Sequence, residues 1–245
     1  MNKIEFYSDV YGLADTVPII KPSSELPNWV SLARMDYKQQ PKSNSHIYRC
    51  PGIFDLFNYG FLIPAWHDIT LTPTENNFKW EIPDDRLLDL MGTTYVAEAH
   101  DSTTIGKHLP RPHWSRPCVL KINTPWHVLA PKGVKFLMTA VPYPDSYEFQ
   151  AVSGILDPAI STSINIQLNW NINSSYTIKA GTPLAHLIPL TEEKYDFVVR
   201  DKNENDERWS LKRKYLNGMS YIINRTRLKA AYEQQIKKSF FQFWK

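Results

Sequence analysis

The tightest constraint on this chain is the run from Ala130 to Leu190, where short apolar stretches recur between turn residues. Pro131, Lys132 and Gly133 lead into one apolar strand, a second reaches Gly154-Ile155-Leu156-Asp157, and a third alternates as Ile164, Ile166, Leu168 and Trp170. A polar hairpin region, Asn171 to Ser175, precedes Tyr176 to Lys179, and the turn Ala180-Gly181-Thr182-Pro183 opens a last apolar strand, Leu184 to Leu190. Successive side chains of a strand point to opposite faces. A period of two bounded by Gly, Pro and Asn therefore predicts antiparallel β-structure.

The rest of the chain fits around such a domain. An apolar fraction of 42% with 13% aromatic residues supplies a core and excludes global disorder. Eighteen prolines against nine glycines predict fixed, extended connections rather than flexible linkers, because proline holds its own φ and biases the residue before it. Three regions follow: an extended N-terminal segment over 1–50, a β domain over 51–200 and a basic helical region over 201–245.

Within the first region, Lys3 to Tyr7 reads as a short edge strand. The proline-rich stretch Val17 to Pro27 reads as surface-wrapped, anchored by Trp29, Val30 and Leu32. Ile53 to Phe57 has a short helical pattern closed by Gly60, and Phe61 to Ile69 reads as a strand that Pro64 confines to an edge or a bulge. Leu71 to Pro83 predicts a hairpin turning at Asn76-Asn77, followed by a helical turn at Leu87 to Met91 and strands at Thr93 to Ala99, Cys118 to Ile122 and Lys194 to Arg200. Ser102 to Pro117 reads as a long loop.

Several functional classes lack their signatures. No P-loop, dinucleotide fingerprint or nucleophile elbow is present. No apolar run is long enough to span a bilayer, and residues 1–30 lack a secretory leader pattern. The two cysteines, Cys50 and Cys118, make neither a disulfide framework nor a zinc set and read as buried free thiols. Asp201, Asn203 and Asn205 resemble the start of a calcium loop, but Asp206 stands where the sharp turn needs Gly.

Two features carry candidate chemistry. His100, His108 and His113 fall close together in sequence, and imidazoles converging from a loop would hold a divalent metal ion. The second is the tail. Residues 207–245 hold ten Lys or Arg against Glu207 and Glu233, a balance of +8, which leaves −5 on residues 1–206 given the overall +3. Lys212, Arg213, Lys214, Arg225 and Arg227, interleaved with aromatic residues, would contact phosphates while bases stack. Leu228, Tyr232, Ile236 and Phe240 at i,i+4 spacing equally predict a helix that docks its apolar side on protein.

The Ala130 to Leu190 run resembles the trimeric dUTPase and dCTP deaminase superfamily. The shared elements are the Pro131-Lys132-Gly133 turn before a strand, Gly154-Ile155-Leu156-Asp157, the alternating Ile164 to Asn169, and Gly181 followed by Leu184-Ala185-His186-Leu187-Ile188. The resemblance implies a dUTPase-like (β-clip or jelly-roll-like) sandwich or barrel, so that with the tail's helical period the expected fold is mainly β with a C-terminal helical segment. It also makes Asp157 a candidate ligand-facing turn residue.

The family's catalytic pieces do not carry over. Ala140-Val141-Pro142-Tyr143-Pro144 stands where an Arg-Ser-Ser phosphate motif belongs, Pro158-Ala159-Ile160-Ser161 replaces the sugar-contacting turn, and His186 replaces a Gln. The chain also resembles uncharacterised proteins of marine tailed phages, through Leu26-Pro27-Asn28-Trp29-Val30, Cys50-Pro51-Gly52, Gly60-Phe61 with Ile63-Pro64, and Ala180-Gly181-Thr182-Pro183.

The expectation is a noncatalytic phage protein, virion-structural or partner-binding, that needs no cofactor. It would be made in the host cytoplasm, with the virion as a further destination. Its partners would be copies of itself, another phage protein, or nucleic acid through the tail. The alternative is a small-molecule enzyme, either a divergent nucleotide-processing enzyme or an oxygenase using a divalent metal ion on His100, His108 and His113.

Overall fold

Strands outnumber helices throughout the computed structural model, which describes residues 3–39, 46–100 and 108–206. In chain order the elements are β1 (Lys3–Ser8), α1 (Leu13–Thr16), α2 (Asn28–Gln39), α3 (Pro51–Asn58), β2 (Phe61–Pro64), β3 (Ile69–Pro73), β4 (Phe78–Glu81), α4 (Leu87–Met91), β5 (Ala97–His100), β6 (Val119–Ile122) and β7 (Trp126–Leu129). They continue as β8 (Phe136–Thr139), β9 (Phe149–Ala151), β10 (Gly154–Leu156), β11 (Ile166–Trp170), β12 (Tyr176–Ile178), β13 (Pro183–Pro189) and β14 (Asp196–Asp201). The protein is mainly β. The predicted C-terminal helical segment lies outside the described residues.

The strands form four small sheets, ordered β14-β1-β7, β10-β8-β13-β2, β5-β6-β11-β9 and β12-β3-β4. All pairings are antiparallel except β1 with β14. One apolar cluster joins the sheets: Phe6 from β1, Phe136 and Leu187 from β8 and β13, Leu120 and Leu168 from β6 and β11, and Leu71 from β3 are each fully buried within it. Trp170 ends β11 inside this core. Phe78 meets it edge-on at a centroid distance of 5.6 Å and the Arg116 guanidinium lies 5.4 Å from its ring, contacts that add about 1 kcal/mol each to the area buried.

Most local expectations match these elements. The β3–β4 hairpin turns through Thr74 to Asn77, closed by the Thr74 amide donating to the Asn77 carbonyl. Pro64 does fall at a sheet edge, where its missing N–H costs no ladder bond, but it ends β2, so the strand expected over Phe61 to Ile69 stops there and Ile69 opens β3 in another sheet.

Four further expectations are corrected. β1 is the central strand of its sheet, not an edge, because β7 and β14 reach it from far along the chain. Residues 28–39 form a helix that buries Val30 but leaves Leu32 60% exposed, so Leu32 anchors nothing. Asn171 to Ser175 is a crossover rather than a hairpin, since β12 pairs with β3 and not with β11. Cys118 is buried, as expected, but Cys50 is exposed.

Candidate functional site

The segment that follows β8 carries the sequence in which a phosphate motif was missing, and its backbone explains what stands there instead. Pro142 and Pro144 flank Tyr143, which sits at a φ of 48°, the single non-glycine residue with positive φ among the described residues. Such a conformation persists only when neighbours hold it. Here the start of α2 does so: the Trp29 indole N–H donates to the Tyr143 carbonyl at 3.0 Å, and both carboxylate oxygens of Asp145 accept from the Asn28 amide at 3.0 and 2.9 Å. The carboxylate lies against the positive end of the α2 dipole. Trp29 also packs between Phe54, Phe57 and Tyr143 at centroid distances of 6.2 to 6.3 Å.

This clamp forms one wall of a groove of about 210 Å³. Pro22, Glu25 and Pro27 line it as well, Leu62, Ala151 and Leu184 contribute apolar lining, and β9 runs along it. Three carboxylates line it, Glu25, Asp145 and Glu148, and no Lys, Arg or His does so among the described residues. The Glu148 Oε2 is buried without a hydrogen-bond partner, a costly state that a cationic or N–H donor would relieve. The arrangement supplies shape, apolar contact and negative charge.

A second constellation lies at the junction of β1 and β7. Tyr7 faces His127 directly across the ladder, with the rings stacked at 4.6 Å and 5°. The His127 imidazole bridges the Asp9 carboxylate, 2.8 Å from its Nε2, and the Thr162 hydroxyl, 3.1 Å from its Nδ1, while the Lys202 ammonium lies 2.9 Å from the other Asp9 oxygen. Tyr7, Thr162 and His127 are 1%, 4% and 6% exposed, so a substrate has no direct approach to this Asp–His–Thr array. It ties the N-terminal strand to the middle of the chain and to the residue following β14. Burial by itself would raise the Asp9 carboxyl, but the hydrogen bonds and charges of His127 and Lys202 outweigh it and hold that carboxyl below the usual carboxylate value.

Sequence-predicted site residues fall elsewhere. Asp157 closes the turn after β10: its Oδ1 accepts from the Ala159 amide at 3.0 Å and its backbone carbonyl accepts from Ile160 and Ser161. Its Oδ2 lies 3.5 Å from the Lys135 ammonium. His100 ends β5 opposite Val119, while His108 and His113 are exposed in the connection before β6. Among the described residues no group of three or more His, Cys, Asp or Glu side chains is placed to hold a metal ion, so these three histidines are not brought together into one. Lys212, Arg213, Lys214, Arg225 and Arg227 lie outside the described residues. Burial pushes the Cys118 thiol above its usual value, which leaves it a poor nucleophile.

Sequence reasoning missed both constellations. Tyr7 and His127 each stand between buried neighbours in a strand, a local signal that such a side chain points to the opposite face. Nothing local links His127 to Asp9 or to Thr162, which are 118 and 35 residues away.

His186, at the position where the resemblance has Gln, is 1% exposed and donates its Nε2–H to the Tyr59 carbonyl at 2.6 Å. Burial lowers its pKa from the ordinary 6.5 and the carbonyl only partly offsets this. The folded imidazole therefore stays neutral while the unfolded one protonates. Stability contributed at neutral pH is lost as pH falls below about 6.5, until the folded imidazole also protonates. Asp9, depressed from 3.8, adds a second loss in the same direction at lower pH. Urea midpoints measured from pH 7.5 to 3 are expected to fall in two stages, and His186→Gln is expected to remove the first while leaving the second. A single stage unchanged by the substitution contradicts this assignment.

No protein-family model matches the chain, and no curated protein matches it. Among solved structures it is similar to native EIAV dUTPase, at 18% identity and a TM-score of 0.26, over 32% of this chain and 69% of that one.

Proposed function

We propose that the chain is a noncatalytic phage protein, virion-structural or partner-binding, on a dUTPase-like β scaffold, and that it takes its partner in the groove beside β9. The observation that carries this reading is the replacement of a phosphate-binding segment by Ala140 to Pro144, one wall of a groove lined by Glu25, Asp145 and Glu148. Three carboxylates without a cation repel a nucleoside triphosphate, whose binding needs positive charge or clustered N–H donors.

The order of turns and strands supports the scaffold. The Pro131 to Gly133 turn precedes β8, Gly154 to Leu156 is β10 with Asp157 in the turn after it, and β13 follows the Gly181 turn. The phage setting, with synthesis in the host cytoplasm and self-association or another phage protein as partner, rests on the sequence resemblance.

A photocrosslinking residue placed at Tyr147, 58% exposed on the groove rim, tests the reading against one placed at Tyr11, which is 89% exposed elsewhere. In phage-infected cells a discrete adduct is expected from position 147 only. In parallel, purified protein is expected to show no saturable binding or hydrolysis of dUTP or dCTP with Mg²⁺. Nucleotide turnover that disappears on Glu148→Gln would falsify the noncatalytic reading.

A further inference from the structure

We infer that the groove's partner is an extended peptide segment carrying Lys or Arg, which adds as a strand to the free edge of β9 and sets its cation against Glu148. This rests on the groove being the partner site and specifies what occupies it.

The backbone carries the first part. β9 is the last strand of its sheet, paired only to β11. The Val152 amide donates to the Gln167 carbonyl at 2.7 Å and the Glu148 carbonyl accepts from the Asn171 amide at 2.9 Å, so residues 148 and 152 turn their backbone towards β11. Alternation along the strand then directs the amides and carbonyls of Phe149 and Ala151 away from β11. Both residues line the groove. Phe149 packs its side chain against the core and Ala151, itself buried, carries only a methyl group, so neither places a bulky side chain on the edge. An unpaired edge beside an apolar trough is the geometry by which extended peptides gain main-chain hydrogen bonds and side-chain pockets together.

Charge selects the peptide. Glu25, Asp145 and Glu148 are among the residues that line the trough, with no basic residue among its described lining. Asp145 is already engaged with the start of α2. Glu148 has the buried, unpartnered oxygen. A guanidinium or ammonium supplies the missing donor, and an acidic side chain at the same place meets like charge at short range.

The experiment uses the full chain and a fluorescein-labelled probe, acetyl-Thr-Val-Lys-Val-Arg-Val-Thr-amide, read by anisotropy at 50 and 300 mM salt. Two analogues accompany it, one with Glu in place of Lys and Arg, and one N-methylated at alternate amides. Saturable binding of the probe is expected, at least tenfold weaker for each analogue, about tenfold weaker for Glu148→Gln at unchanged thermal midpoint, and weaker at the higher salt. No binding, equal binding of either analogue, or indifference to Glu148→Gln overturns the proposal. So does concentration-dependent self-association of the full chain that Glu148→Gln abolishes while the probe does not bind, because the occupant is then a second copy. A crosslink at position 147 without probe binding removes strand addition but keeps the groove as the partner site. Saturable dUTP binding removes both.

Discussion

Gly60→Ala is expected to destabilise the protein by roughly 2–4 kcal/mol, the joint cost of placing an L-residue in a left-handed conformation and of overpacking. Gly60 has a φ of +75°, and a methyl group built on it would lie 2.5 Å from the Leu187 carbonyl oxygen and 2.8 Å from the His186 Nε2. The first of these is backbone of β13, held by β2 on one side and β8 on the other, and has little room to withdraw. The residue reverses the chain from α3 into β2, so a shift there disturbs the pairing of Phe61 with Leu187.

Two companion substitutions separate the causes. Gly133→Ala shares the positive φ, +91°, but meets nothing within 4 Å, so it is expected to cost only about 1 kcal/mol. Gly52→Ala has neither problem and lies in the first turn of α3, so it is expected to be neutral or stabilising by up to roughly 0.5 kcal/mol. Urea denaturation of the three variants gives the ranking. Equal midpoints for Gly60→Ala and Gly133→Ala would show that the close approach to β13 does not matter.

Asp9→Ala is expected to cost about 3 kcal/mol, as removal of one partner from a buried ion pair does. The substitution leaves the His127 Nε2 and the Lys202 ammonium without the oxygens 2.8 and 2.9 Å away. His127 is held by its stacking on Tyr7 and its bond to Thr162, and cannot turn to water without opening the β1–β7 ladder. Asp9→Asn keeps the shape and one acceptor and is expected to cost about half as much. Because the Asp9 carboxyl is depressed, its contribution is present above its unfolded value of 3.8 and disappears as pH falls through its folded value. The gap between wild type and Asp9→Asn should therefore close in acid. A gap that is constant from pH 7 to pH 3 would show that the carboxylate charge plays no part.

These two sites differ in how far the sequence foretells them. Gly60 was legible as a turn residue between a helix and a strand, although the helix ends at Asn58 and its C-cap is Tyr59, not Gly60. Its proximity to His186 and Leu187 was not, because β2 and β13 are brought together only by the sheet. The hairpin at β3–β4, the turn at α4 and strand β13 were legible for the same local reason: each is written in a period and a punctuating residue within ten positions. β1 was misread as an edge because an edge and a centre carry the same alternation, and only partners from residues 126–129 and 196–201 distinguish them. Helix α2 was missed because its exposed Leu32 and Met35 break the apolar stripe that helical periodicity relies on.

The Ala130 to Leu190 run thus determined by itself that the chain is mainly β, since alternation and turn chemistry act between neighbours. It also showed Ala140-Val141-Pro142-Tyr143-Pro144 where the resemblance has an Arg-Ser-Ser phosphate motif, since a motif is a local string. Only the tertiary structure decided what stands in its place. Glu25 lies far in sequence from Asp145 and Glu148, yet all three residues line one groove beside the unpaired edge of β9. Asp9, His127 and Thr162 form one array because β1 pairs with β7. Local patterning selects the elements; long-range pairing selects which of their side chains meet, and chemistry depends on the meeting.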